Sequence, residues 1–102
     1  MKLEVAFLER DEYIEHKHLH DGIQYIFSTG TGRKLSVVRH WVSYGSDKGY
    51  YEMARVKANG HVSEPLGYLT VDEVLTIVGY ENGEDVNDIE LIKSWKDSKG
   101  DE

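Results

Sequence analysis

The chain has 102 residues, 39% hydrophobic and 30% charged, with ten glycines, one proline, no cysteine and a formal net charge of −7. This length holds one domain and excludes a two-domain enzyme, and the composition is that of a folded chain, not a disordered, collagen-like or membrane-spanning one. The absence of cysteine removes disulfide scaffolds, thiolate zinc sites, iron–sulfur clusters and cysteine nucleophiles together.

In chain order, Leu3, Val5 and Phe7 alternate as in a strand, whereas Phe7, Leu8, Tyr13, Ile14 and Leu19 recur at helical spacing. We expect a short extended lead and then a helix over Glu9 to His18. Ile23 to Ser28 is rich in β-branched and aromatic residues and reads as a strand. Thr29-Gly30-Thr31-Gly32 offers two glycines able to take positive φ, and Lys34 through Val42 reads as the returning strand of a hairpin. Ser43 to Gly49 is a longer connection, and Tyr50 to Lys57 reads as a third strand. Asn59-Gly60 suits a type I′ turn, with His61 to Glu64 as a short return strand ended by Pro65.

From Thr70 the period changes. Thr70 and Glu73 have the spacing of a capping box, and Val71, Val74, Leu75 and Val78 recur as on a helix, with Gly79 as its expected stop. Asn82-Gly83 turns the chain, and Asn87 to Glu90 repeats the cap spacing ahead of Ile89, Ile92 and Trp95, which marks a second helix. Asp97 to Glu102 has no apolar anchor and reads as a frayed tail. The expected fold is a single α+β domain over residues 1–102. Its elements are a small antiparallel β-meander of three to four strands, an N-terminal helix and two C-terminal helices packed on one face.

Charge is uneven along the chain. Between Asp21 and Gly60, Arg33, Lys34, Arg39, Lys48, Arg55 and Lys57 face only Asp21, Asp47 and Glu52, whereas His61 to Glu102 holds eleven acids against Lys93, Lys96 and Lys99. A solvated face is the plain reading of the acidic part. The sharper one is a surface for a basic partner, including mimicry of nucleic-acid phosphates by Glu73, Glu81, Glu84, Asp85 and Asp88.

No motif dictates a reaction. His16, His18 and His20, followed by Asp21, are metal-ligand types, but on a helix only His16 and His20 share a face, whereas on a strand all three align. No Gly-x-Ser-x-Gly elbow is present. Ser28 to Lys34 superficially resembles a phosphate loop but lies between two strands, where no helix N-terminus aims amides at an anion. No cofactor is expected. Basic and aromatic residues interleave over Tyr25, Phe27, Arg33, Lys34, Arg39, His40, Trp41, Tyr44, Tyr50, Tyr51 and Arg55. Sheets that bind single strands use such a pattern, and so do sheets that bury one aromatic face.

Three stretches carry a resemblance: His20-Asp21-Gly22-Ile23-Gln24-Tyr25-Ile26-Phe27, then Ser36-Val37-Val38-Arg39-His40, then Ser43-Tyr44-Gly45. Together with Gly49 to Ala54 and Gly67 to Thr70, this pattern resembles a family of small uncharacterised proteins of tailed bacteriophages and prophages. It covers residues 20 to 70, and around Ser63 to Leu66 the chain is shorter than the pattern. The resemblance implies an accessory protein acting in a bacterial host cytoplasm on host or phage macromolecules. Met1 to Val5 has no cationic lead into an apolar run, so no secretory leader is read.

The first functional reading is therefore a non-catalytic protein-binding module whose partner is a host or phage protein or a second copy of the chain. Arg39, Tyr44, Tyr50 and Tyr51 are the candidate contact residues, since Tyr and Arg dominate interface energetics; the same side chains are also candidates for the core. The alternative is a nucleic-acid-binding domain that uses the central sheet. The third is a metal-dependent enzyme using His16, His18 and His20. No membrane partner is expected, because no apolar run approaches the ~20 residues of a membrane helix.

Overall fold

A computed structural model describes residues 3–19, 22–40 and 49–98. The described elements are α1 (Val5–Leu8), β1 (Tyr13–Leu19), β2 (Gly22–Ser28), β3 (Lys34–His40), β4 (Tyr51–Val56), β5 (Leu66–Leu69), α2 (Val71–Glu81) and α3 (Ile89–Asp97). The strands form one antiparallel sheet in the order β1-β2-β3-β4-β5, so each strand pairs only with its neighbours along the chain. The architecture is the expected α+β meander with an N-terminal helix and two C-terminal helices, enlarged to five strands.

The extra strand lies where a helix was expected. Residues 13 to 19 pair with β2 as an edge strand, with His16 opposite Tyr25 and His18 opposite Ile23. The helical spacing read over Phe7 to Leu19 mixes two elements. Phe7 and Leu8 belong to the single turn of α1, and Tyr13 and Leu19 belong to β1. Strand wins here because β2, buried along most of its length, would otherwise leave one row of backbone donors and acceptors unpaired.

Period-2 alternation sorts the sheet. Ile23, Tyr25 and Phe27 of β2, Leu35 and Val37 of β3, and Tyr51 and Met53 of β4 enter one core with Val74, Ile77, Val78, Leu91, Ile92 and Trp95 of the two long helices. Phe7 is fully buried in the same layer, edge-on to Tyr25, Phe27 and Tyr51 at 5.0, 5.7 and 5.1 Å. On the other face Ile26 stands opposite Ser36 and Ser36 opposite Ala54, and the Gln24 side-chain amide donates to Ser36 Oγ at 2.8 Å.

Two turns share one chemistry. In the β2–β3 hairpin, Gly32 N–H donates to Thr29 O and Thr29 N–H to Arg33 O, with Gly32 at φ +84°. After β4, Gly60 N–H donates to Lys57 O and Lys57 N–H to His61 O, with Gly60 at φ +86°. Each is a tight turn closed by a left-handed glycine, the usual three-residue hairpin geometry. Asn59 does not share the positive φ that a type I′ turn demands. The return over His61 to Glu64 is reduced to a bridge between Val56 and Val62, and the true fifth strand follows Pro65.

The capping box at Thr70 forms as its spacing requires: Glu73 N–H donates to Thr70 Oγ1 at 3.2 Å and Thr70 N–H to Glu73 Oε1 at 2.9 Å. Gly79 does not stop α2, which runs on to Glu81. It is buried inside the helix because the Glu84 side chain folds onto it, and a Cβ there would lie 2.6 Å from Glu84 Oε1. Asp88 caps α3 through Leu91 N–H at 3.1 Å. Asp97 closes α3, and the rest of the expected frayed tail beyond residue 98 lies outside the described residues. Among the described residues, no helix is long and apolar enough to cross a membrane.

Candidate functional site

Of the candidate contact residues, Arg39, Tyr50 and Tyr51 fall at one end of the sheet, where β3 ends and β4 begins. Arg39 is half-buried near the end of β3, with its guanidinium carbon 5.9 Å from the centre of the Tyr51 ring. Tyr51 is 3% exposed and belongs to the core, because it shares the inward set of β4 with Met53. Its ring cannot be offered to a partner. Tyr50, one position earlier and so on the other phase of the strand, is partly exposed. Tyr44 lies outside the described residues, as do His20, Trp41 and the rest of 41–48.

Beneath Arg39 a hydrogen-bonded tyrosine pair anchors the N-terminal segment. The Tyr51 hydroxyl donates to Glu4 Oε1 at 3.2 Å, and Glu4 N–H donates to the Tyr25 hydroxyl at 2.8 Å. Burial pushes the Tyr51 hydroxyl up to about 12, helped by the negative charge of Glu4 and opposed by Arg39. Burial also raises Tyr25, against the Glu4 backbone hydrogen bond and Arg39. A general acid or base works best with a pKa near the ambient pH. These hydroxyls instead stay protonated and act as fixed hydrogen-bonding groups.

A feature missed in the sequence reading stands beside Tyr50. Tyr51 pairs with Leu69 and Met53 with Leu66, so β5 carries one residue more than β4 between the same two rungs. The resulting bulge holds Tyr68 at φ +63°, the single non-glycine residue with positive φ among those described. That backbone region disfavours a side chain by roughly 1–2 kcal/mol. The bulge turns the Tyr68 ring outward, where it is 57% exposed and meets Tyr50 edge-on with ring centres 6.3 Å apart. Gly67 immediately before it was the available signal: a glycine inside a short strand pattern marks a bulge.

The histidines converge less. His16 and His18 lie on the same side of β1 with ring centres 5.7 Å apart, and His16 Nδ1 is 2.6 Å from the Tyr13 hydroxyl. Among the described residues, no group of three or more His, Asp or Glu side chains is arranged to hold a metal ion. The basic and aromatic residues of the nucleic-acid reading are dispersed as well. Tyr25 and Phe27 are buried in the core, Arg55 is 7% exposed, and Arg33 and Lys34 sit at the opposite end of the sheet from Arg39. Of the acidic residues, Glu84, Asp85 and Asp88 line one cleft with Asp72, and Glu73 and Glu81 are not among its lining residues. Glu73 is used in a cap, Glu81 accepts from the Trp95 indole at 2.7 Å, Glu84 pairs with Arg10 at 3.0 Å, and Asp88 caps α3.

Comparison with models of protein families, with curated proteins and with solved structures returns no match.

Proposed function

We propose that this chain is a small phage- or prophage-type accessory protein of the bacterial cytoplasm that works, without catalysis, by binding another protein. The contact surface is built on Tyr68 and Tyr50, with Arg39 at its border. One observation carries the reading: a tyrosine held in left-handed backbone geometry by a bulge, with its ring turned outward onto a second tyrosine. Strain of this kind persists where the surrounding structure imposes it, and it clusters at functional sites. Tyrosine supplies a large, rigid contact at low entropic cost, and paired tyrosines flanked by arginine have the composition of an interface centre.

The test is capture from a bacterial lysate on the immobilised chain, after nuclease treatment, in parallel with Tyr68→Gly, Tyr50→Ala and Arg39→Ala. A protein retained by the parent and lost by the tyrosine variants, each keeping its thermal transition, supports the reading. Retention that vanishes with nuclease transfers it to nucleic acid. Retention equal in parent and variants overturns this surface.

A further inference from the structure

The two edges of the sheet differ in what they offer. β5 is short, bulged and strained at Tyr68, whereas β1 runs for seven residues and pairs, among the described residues, with β2 alone. We infer that β1 is the edge through which two copies of this chain associate: their first strands pair antiparallel about His16, joining two five-stranded sheets into one.

Three features carry the inference. The first is where the backbone groups point. Ser28 N–H donates to Glu12 O at 2.8 Å and Thr29 N–H to Arg33 O at 3.0 Å, so in β2 the even-numbered residues face β1 and the odd-numbered ones face β3. Glu15 and Lys17, opposite Ile26 and Gln24, therefore turn their N–H and C=O groups to β2, and His16 and His18 turn theirs to the open edge. In a pair turned about His16, the two His16 residues exchange both backbone hydrogen bonds. The irregularity between Tyr13 and Glu15 lies outside these central rungs.

The second is charge. Glu15 and Lys17 are exposed on the same face of β1, and neither has a hydrogen bond or ion pair among the described residues. A two-fold axis through such a pair of strands passes beside one residue, because residues opposite each other share a face. Centred on Glu15 it sets carboxylate against carboxylate, and centred on Lys17 ammonium against ammonium, both destabilising. Centred on His16 it sets Glu15 opposite the partner's Lys17 and Lys17 opposite the partner's Glu15. These are non-hydrogen-bonded positions, where facing side chains stand closest. A lysine on an edge ordinarily discourages pairing, but here the same strand carries its counter-charge two residues away. The third is room. α2 packs on β4 and β5, and Trp95 of α3 lies over Arg55 of β4, so the long helices are centred on the side of the sheet away from β1.

The experiment is analytical ultracentrifugation of the full chain from micromolar to millimolar concentration. An ionic strength of about 0.15 M is used, where a Debye length of ~8 Å screens the net charge of −7 between copies but not pairs in contact. The parent, Glu15→Lys, Lys17→Glu, the variant carrying both exchanges, and an equimolar mixture of the two single variants are compared. A monomer–dimer equilibrium with a micromolar Kd is expected in the parent, because one strand pair is a small interface. Each single variant sets like charges opposite each other at both symmetry-related positions and should weaken the dimer about tenfold. The double exchange and the mixture restore opposite charges at both positions and should recover the parent's affinity. Both substituted residues are exposed, so the fold of each copy is kept. A chain that stays monomeric at millimolar concentration overturns the proposal. So does a dimer indifferent to both single variants, or one that they weaken and the double exchange fails to restore. Tyr68→Gly should leave the dimer intact, and loss of the dimer in that variant overturns the proposal in favour of the tyrosine surface.

Discussion

The two ends of the sheet carry the same device in two states. The inward set of β3 ends Leu35, Val37, Arg39, and that of β4 ends Tyr51, Met53, Arg55, so each strand finishes its core-facing row on an arginine. Because the strands are antiparallel, the two arginines stand at opposite ends. Arg55 is sealed by α3: Trp95 covers its face at 3.8 Å and supplies a carbonyl, and Glu81 supplies a counter-charge. Arg39 stays half-buried, 5.9 Å from the Tyr51 ring, beside a strained bulge. An arginine at the end of a strand is therefore a clamp where a helix brings an aromatic over it, and stays half-buried against its own sheet where none arrives.

Substitutions should separate the two ends. Arg55→Met should cost about 3 kcal/mol, the low end for breaking a buried charge pair, since Glu81 keeps some contact with water. A denaturant midpoint that hardly moves would deny the clamp. Tyr51→Phe should cost about 1 kcal/mol through the lost bond to Glu4. It should also change the alkaline limb. Tyr51 titrates at about 12 in the folded chain and near 10 when unfolded, so the folded state holds its proton longer. The stability it contributes is whole below pH ~10 and drains as pH rises toward ~12. Melting curves across that window should fall less steeply in Tyr51→Phe than in the parent.

Smaller effects belong to the open end. Arg39→Ala should cost about 0.5–1 kcal/mol, the worth of a partly exposed cation–π contact. Tyr68→Gly should leave stability unchanged or raise it by up to about 1 kcal/mol, since glycine relieves the positive φ while the Tyr50 contact is lost. A clear loss of stability in Tyr68→Gly would make the ring structural and blur the contrast between the ends.

Much of this fold is legible where local chemistry decides. Ile23 to Ser28 and Thr70 with Glu73 each carry their own signal and form the expected strand and cap, whereas the last helix starts one residue later than its Asn87–Glu90 spacing marks, with Asp88 as the cap. Where partners lie far apart, the sequence is silent. β1 is a strand because β2 needs an edge partner, although its own residues also fit a helix. Gly79 reads as a helix end, yet its missing side chain makes room for Glu84, which continues to Arg10 seventy-four positions away. The candidate site divides in the same way. Tyr50 and Arg39 can be picked by residue type, whereas the exposure of Tyr68 depends on a one-residue mismatch between two strands, and the burial of Arg55 on a tryptophan forty positions later.

The unbroken strand order has a consequence in time. Every rung of the sheet joins segments close in sequence, so pairing can advance hairpin by hairpin as the chain is made, with little loop entropy to overcome at each step. The helices are last in the chain, and α3 brings the ring that closes over Arg55. Contacts that form after the folding barrier govern escape from the native state. If Trp95 closes over Arg55 after that barrier, Trp95→Phe is expected to quicken unfolding while refolding keeps its pace, and stopped-flow kinetics in both directions checks this.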